Sequence, residues 1–238
     1  MSIWTSINDA LAALASGEGL SAIFDRLRGM QMESPERSVG FTSAVIALGA
    51  KLAKADGQVT KDEVTAFRRV FTFPPGEEAN AARVFNLARQ DVAGFDAYAR
   101  KVAAMFRDEG EVLCADDRNT LIDLLEGLFH IATADDDYHP KENVFLENVA
   151  DLFGLEGMQF QSIRARCVSG YAADPYTILG ASQEEAFPII KAKWQALVRD
   201  SHPDLMIARG VPAEAVKLAE KRLIRVNEAF EKIKNAKS

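Results

Sequence analysis

A short acidic loop is written twice into this chain, 79 residues apart, counted from Ala55 to Ala134. Ala55-Asp56-Gly57-Gln58-Val59-Thr60-Lys61-Asp62-Glu63 aligns with Ala134-Asp135-Asp136-Asp137-Tyr138-His139-Pro140-Lys141-Glu142. Ala, Asp and Glu recur, and Val59 faces Tyr138. Apolar stretches over 41–54 and 121–133 lead into the loops, and stretches over 61–71 and 140–153 follow them. Each copy therefore reads as a helix–loop–helix unit. Such a unit cannot bury its apolar side alone and needs a neighbour to stack on.

The rest of the chain obeys the same period. Ile3, Ile7, Leu11 and Leu14 share one helical face. Further helical stretches over 77–90 and 95–108 bridge the repeats, after a break at Pro74-Pro75-Gly76. No alternating β-branched run bounded by hairpin turns competes. The expected fold class is all-α. Residues 1–35 form an N-terminal helix and linker, 36–168 a helical domain built on the repeat, and 171–238 a C-terminal module.

That module is a predicted antiparallel helical hairpin. The first helix, 188–200, has Pro188 in its first turn, where proline is tolerated. Its stripe is Ile190, Trp194, Leu197 and Val198. The second helix, 212–235, carries Ala219, Leu223, Val226, Phe230 and Ile233. Tyr176, Ile178 and Leu179 should pack on the pair. Between the helices stands His202-Pro203-Asp204. Pro203 donates no backbone hydrogen bond and disfavours helix at His202, so the first helix must stop and a loop begins. An imidazole and a carboxylate then project from a loop on a rigid scaffold, a geometry suited to recognition. Read alone, the tripeptide is also a simple helix stop with Asp204 as a cap.

Charge divides the chain the same way. From Tyr171 onward there are 11 Lys+Arg and 9 Asp+Glu, leaving 17 basic and 26 acidic residues before it. A mildly basic module thus follows an acidic body, which suggests different partners for each. A net charge of −7 argues against nucleic-acid binding. The two cysteines, Cys114 and Cys167, form no CxxC pair, which excludes a zinc ribbon and fits a reduced cytoplasmic protein. The apolar run 10–15 is too short to span a bilayer, and no transmembrane segment is expected, although residues 1–34 leave peripheral membrane contact open. No phosphate-binding Gly-rich loop, GxSxG or HExxH is present, so an enzyme is not expected.

Two resemblances follow from these motifs. The repeated Ala-Asp-Gly-x-Val-x-x-x-Glu loop resembles the TerB, or tellurite-resistance-type, domain. The second copy departs by carrying Asp136 in place of Gly. In the C-terminal module, Asp174-Pro175-Tyr176, Ile190 to Val198, His202-Pro203-Asp204 and Val226-Asn227-Glu228-Ala229-Phe230 together resemble a J-domain. The tract from His202 to Pro212 looks most like that of the DjlA family. The resemblance implies a J-domain co-chaperone in which His202, Pro203 and Asp204 engage a DnaK-type chaperone and stimulate its ATPase. Asp204 would pair with a basic residue of that partner. Lys191, Lys193 and Arg199 give helix 188–200 a positive face that would meet an acidic partner surface. Gln195, Ala196 and Leu205 stand where the family commonly has basic residues, which implies weaker steering or a dedicated partner. The TerB-like body would give client, localisation or stress specificity toward unfolded or specific client proteins. DjlA proteins are typically anchored by an N-terminal transmembrane segment, from which this sequence departs.

The acidic loops support three readings. Asp56, Glu63, Asp135, Asp136, Asp137 and Glu142 could hold a divalent cation through oxygen ligands, in line with TerB-type metal responses. They could form a protein-binding patch. Or they could cap helices: Thr60 and Glu63 make a Thr-x-x-Glu box, and Pro140 and Glu142 suit a first turn after His139. Twelve-residue numbering from Asp56 or Asp135 ends on Phe67 or Leu146, so neither is an EF-hand. The capping reading needs no cofactor. The alternative to a co-chaperone is a metal- or stress-response binding protein with a degenerate J-domain.

Overall fold

A computed structural model describes residues 47–52, 95–105, 115–133, 138–155, 157–168, 173–208, 211 and 213–237. Over these residues the chain is all-α, with no strand. A helical segment over 47–52 is followed by α1 (Phe95–Met105), α2 (Ala115–Ala132), α3 (Pro140–Phe153), α4 (Met158–Cys167), α5 (Pro175–Ile178), α6 (Phe187–Asp200), α7 (Pro203–Ala208) and α8 (Ala213–Lys237). The N-terminal helix and linker (1–35), the first acidic loop (55–63), Pro74-Pro75-Gly76 and Asp135 to Asp137 lie outside the described residues.

The body's core follows directly from helical spacing. On α2, Leu121, Leu124, Leu125, Leu128, Phe129 and Ala132 fall on one side and are buried. α3 adds Phe145, Leu146, Val149, Ala150 and Phe153, while α1 adds Tyr98, Ala99 and Val102. Phe95 meets Phe145 with ring centroids 4.6 Å apart, which ties α1 to α3. α2 packs on both α3 and α4.

Helix α3 shows why these boundaries fall where they do. Pro140 occupies its first turn, where a missing N–H costs nothing. His139 Nδ1 accepts from the Lys141 N–H at 3.1 Å, and Glu142 Oε2 accepts from the His139 N–H at 2.9 Å. This is a closed capping box. At the other end Gly154 adopts φ 74°, a left-handed conformation that glycine enters without a Cβ penalty. The Gly154 and Leu155 N–H groups then donate to Asp151 and Ala150 carbonyls.

The C-terminal helices form the expected hairpin. Asp174 caps α5 by accepting from the Thr177 N–H at 3.2 Å, and Gly180 closes it with φ 62°. α6 and α8 pack together, with Leu179, Ile190, Val226, Ala229, Phe230 and Ile233 buried between them and α5. Tyr176 and Ile178 pack against this cluster. Trp194 lies flat on Phe230, with centroids 4.2 Å apart and planes 7° apart. Its Nε1–H donates to Asn227 Oδ1 at 2.9 Å, so the indole's polar edge is satisfied.

Two expectations need correction. The α8 stripe does not serve one hairpin core. Val226, Phe230 and Ile233 do, but Ala219 joins Met206, Val211 and Val216 in the core of the body. The C-terminal helices are thus seated on the body. The segment after His202 is not open loop either. Pro203 and Asp204 form the first turn of α7, because proline and an acid both favour that position.

Candidate functional site

The end of α6 builds a tip. Ser201 and His202 N–H groups donate to the Leu197 and Arg199 carbonyls at 3.1 and 3.0 Å, finishing the helix. Pro203 then starts α7. The His202 carbonyl accepts from the Met206 N–H at 3.0 Å, and its ring Nδ1 accepts from the Asp204 N–H at 3.2 Å. His202 is therefore the N-cap of α7. Since Nδ1 accepts, the ring proton sits on Nε2, which is left as a donor. Asp204 Oδ2 lies 3.9 Å from that Nδ1, beyond hydrogen-bond range, and turns to solvent. The side chains of His202 and Asp204 are 59% and 88% exposed. A fixed backbone thus presents one hydrogen-bond donor and one carboxylate side by side.

Orientation of the tip comes from Met206, which is fully buried in the body's core. Its neighbours Leu205 and Ile207 are exposed. Just behind the tip, a cavity of about 60 Å³ is lined by Asn119, Asp123 and Glu126 of α2, by Asp200 and Ser201, and by Arg222 of α8.

The three basic residues of α6 separate by role. Lys191 is exposed. Lys193 is half-buried and turns inward, its ammonium donating to the Gly180 carbonyl at 2.8 Å and to Glu185 Oε1 at 2.7 Å. That hydrogen bond holds the Glu185 carboxyl below the usual carboxylate range. Arg199 pairs with neighbouring Asp200 at 3.0 Å and is largely exposed. The positive face is therefore formed by Lys191 and Arg199, while Lys193 braces the turn between α5 and α6.

Glu142, the one described member of the acidic set, is buried and engaged in the α3 capping box. Asp56, Glu63, Asp135, Asp136 and Asp137 lie outside the described residues. Among the described residues, no three His, Cys, Asp or Glu side chains gather as a metal set.

Sequence reasoning missed the charged seam between α2, α4 and α8. Glu126 receives Arg166 on Oε1 at 3.2 Å and Arg222 on Oε2 at 2.5 Å, all three side chains being at most 13% exposed. Burial opposes the charge on Arg222, but Glu126 and then Cys167 and Asp123 more than offset this and hold its pKa above the ordinary value. Arg166 also donates to Ser162 Oγ at 2.6 Å, and Ser162 donates to the Ile178 carbonyl at 3.0 Å. Arg225 donates to the carbonyls of Arg166 and Val168, satisfying the end of α4. No local pattern marks these partners.

Comparison with known proteins places this architecture. Along its whole length the chain is 24% identical to co-chaperone protein DjlA of Escherichia coli strain K12, covering 99% of that protein. It is 23% identical to co-chaperone protein DjlA of Haemophilus ducreyi over 81% of this chain and 78% of that one. The protein of the same name from Aliivibrio fischeri is 23% identical over 85% of this chain. No solved structure matches. The model of the family described as tellurite resistance protein TerB matches residues 42–165, which span the repeat and helices α1 to α3 and most of α4. The match covers more than half of the chain, and the chain belongs to the TerB family, within a DjlA-like whole.

Proposed function

We propose that this protein is a co-chaperone whose C-terminal module, residues 171–238, acts as a J-domain on a DnaK-type chaperone. The carrying observation is the tip. Asp204 is exposed beside a largely exposed capping imidazole whose Nε2 is not used by the cap, and both stand on a backbone held by α6 and α7. In this reading Asp204 pairs with a cation of the chaperone, His202 donates a hydrogen bond, and Pro203 fixes the turn. Lys191 and Arg199 steer the encounter toward an acidic surface. ATP hydrolysis takes place in the partner, so this chain contributes binding and timing rather than an active site of its own. The TerB body supplies client, localisation or stress specificity in the cytoplasm. The full-length similarity to proteins named co-chaperone supports this assignment.

The test is single-turnover ATP hydrolysis by the DnaK-type chaperone of the same cell. Acceleration by the wild-type chain, and its loss with Asp204→Asn, is the expected result. No acceleration by the wild type would overturn the proposal.

A further inference from the structure

We infer that Glu126 is a positioning residue that locks the tip-bearing module to the TerB body, so that the body sets the orientation in which His202 and Asp204 are offered. For its consequence on activity this rests on the J-domain reading above.

Three different kinds of contact converge on the same seam. The first is apolar: Met206 of α7, Val211, and Val216 and Ala219 of α8 complete the core of the body. Met206 directly follows Asp204-Leu205, so the body grips the chain two residues from the exposed carboxylate. The second is ionic: Glu126 on α2 receives Arg166 from α4 on one oxygen and Arg222 from α8 on the other. A buried ion pair is weak evidence of stability, because desolvation offsets the attraction. It is directional, however, and a carboxylate held from both sides tolerates one seating of α8. The third is capping: Arg225, one turn beyond Arg222, satisfies carbonyls at the end of α4, and Ser162 bonds the end of α5. Apolar burial alone would allow α8 to slide or rotate. The charged and capping contacts fix its register.

This has a functional consequence. The tip stays exposed while the module is seated, so seating does not block it. A displacement of α2 or α4 is instead transmitted to α7 and α8, which links events at the body to the presentation of Asp204.

The full-length chain tests this through two probes, in a Trp4→Phe background. Fluorescence of Trp194 reports the C-terminal module and far-ultraviolet circular dichroism reports all helices. Coincident thermal transitions are expected in the parent, since the units share a core. In Glu126→Ala the Trp194 transition should separate and fall several degrees below the main one. In the ATPase assay the same variant should raise the concentration for half-maximal stimulation at least fivefold and leave the maximum intact. Separate transitions in the parent, or coincident and unshifted transitions in Glu126→Ala, would overturn the inference. Where Glu126→Ala fails to fold, Arg222→Lys takes its place; it keeps the charge but loses the guanidinium that meets Glu126 Oε2, and an unshifted Trp194 transition there is equally fatal. If the wild type does not stimulate ATPase, the functional proposal falls while the two melting probes still decide the seating.

Discussion

His139 and His202 cap their helices by the same bond. Each precedes a proline, and each ring Nδ1 accepts the backbone N–H two residues on, at 3.1 Å for His139 and 3.2 Å for His202. They differ at the next position. Glu142 reaches back to the His139 N–H and closes the box, whereas Leu205 stands at the corresponding place after His202. The second cap is therefore open, and the carboxylate beside it, Asp204, is available to a partner. One local device closes a helix start in the body and leaves an exposed carboxylate at the tip.

The first prediction separates those two uses. His202→Asn retains a good N-cap and should leave helix content and melting temperature nearly unchanged. It removes the imidazole Nε2 that the cap leaves unused and should abolish stimulation of the DnaK-type ATPase. Asp204→Asn, at an 88% exposed side chain, should also leave stability unchanged. Loss of one member of a charge pair across an interface costs about 2–5 kcal/mol, roughly 30-fold or more in affinity. Titration of labelled variants against the chaperone measures this loss. Wild-type affinity in both variants would sink the assignment of the tip.

The second prediction concerns the α3 cap. Glu142→Ala opens the capping box and leaves the partly buried His139 N–H without its carboxylate partner, so stability should fall by about 1–2 kcal/mol. Because the carboxylate acts as a cap, the loss should be the same with chelator and with added Ca²⁺, Mg²⁺ or Zn²⁺. A wild-type melting temperature that rises with one of these cations, and a rise that Glu142→Ala removes, would restore this residue to a cation site.

Some of this architecture was legible in the sequence, and the reasons are local. The α3 cap is encoded within His139-Pro140-Lys141-Glu142, and the stripe of α2 within successive turns. Trp194 and Phe230 each lie on a clear helical stripe, so their place in the hairpin core was legible, though not their stacking on one another. The seam was not legible, because Glu126 and Arg222 come from different modules and look like ordinary surface charges in their own helices. Ala219 and Val226 continue one uninterrupted stripe, and nothing in it marks where one core ends and the other begins. The inward bonds of Lys193 were not legible for the same reason: the Gly180 carbonyl and Glu185 lie in the preceding turn, outside the helix whose pattern carries Lys191 and Lys193.

The third prediction tests the hairpin core. Phe230 is buried between Trp194 and Phe187, with ring centroids at 4.2 and 5.9 Å. Phe230→Ala should cost about 3–5 kcal/mol. Urea unfolding followed by Trp194 fluorescence in the Trp4→Phe background should show the loss. A change under about 1 kcal/mol would mean that the stack does not hold the hairpin.

The fourth concerns Cys167 at the seam. Burial pushes its thiol up to about 12, against the opposing influence of Arg222. The folded state therefore keeps the proton at pH values where the unfolded thiol has lost it. Stability from this group is complete below the unfolded pKa of about 8.5 and declines as pH rises toward 12. In a Cys114→Ser background, unfolding free energy should fall over that window, and Cys167→Ala should flatten this part of the profile. An unchanged slope would show that the thiol titrates alike in both states.

The last prediction sets Lys191 against Lys193. Lys191 is exposed and should act only on the encounter. Lys191→Gln should lower the association rate with the DnaK-type chaperone at low salt, and the difference should shrink as salt screens exposed charges. Its melting temperature should match the wild type. Lys193 instead ties Glu185 and the Gly180 carbonyl to α6. Lys193→Gln should loosen the α5–α6 turn and lower stability at neutral pH. Glu185 has a lowered folded pKa, so its contribution is present above the unfolded carboxylate value and fades as pH falls through the folded one. The stability gap between wild type and Lys193→Gln should therefore narrow in acid, whereas Lys191→Gln should show no such gap at any pH. Stopped-flow association across a salt series and denaturant melts across acid pH measure the two effects. If Lys193→Gln changed only the association rate, and did so in step with Lys191→Gln, both lysines would belong to one steering face and the bracing role of Lys193 would be wrong.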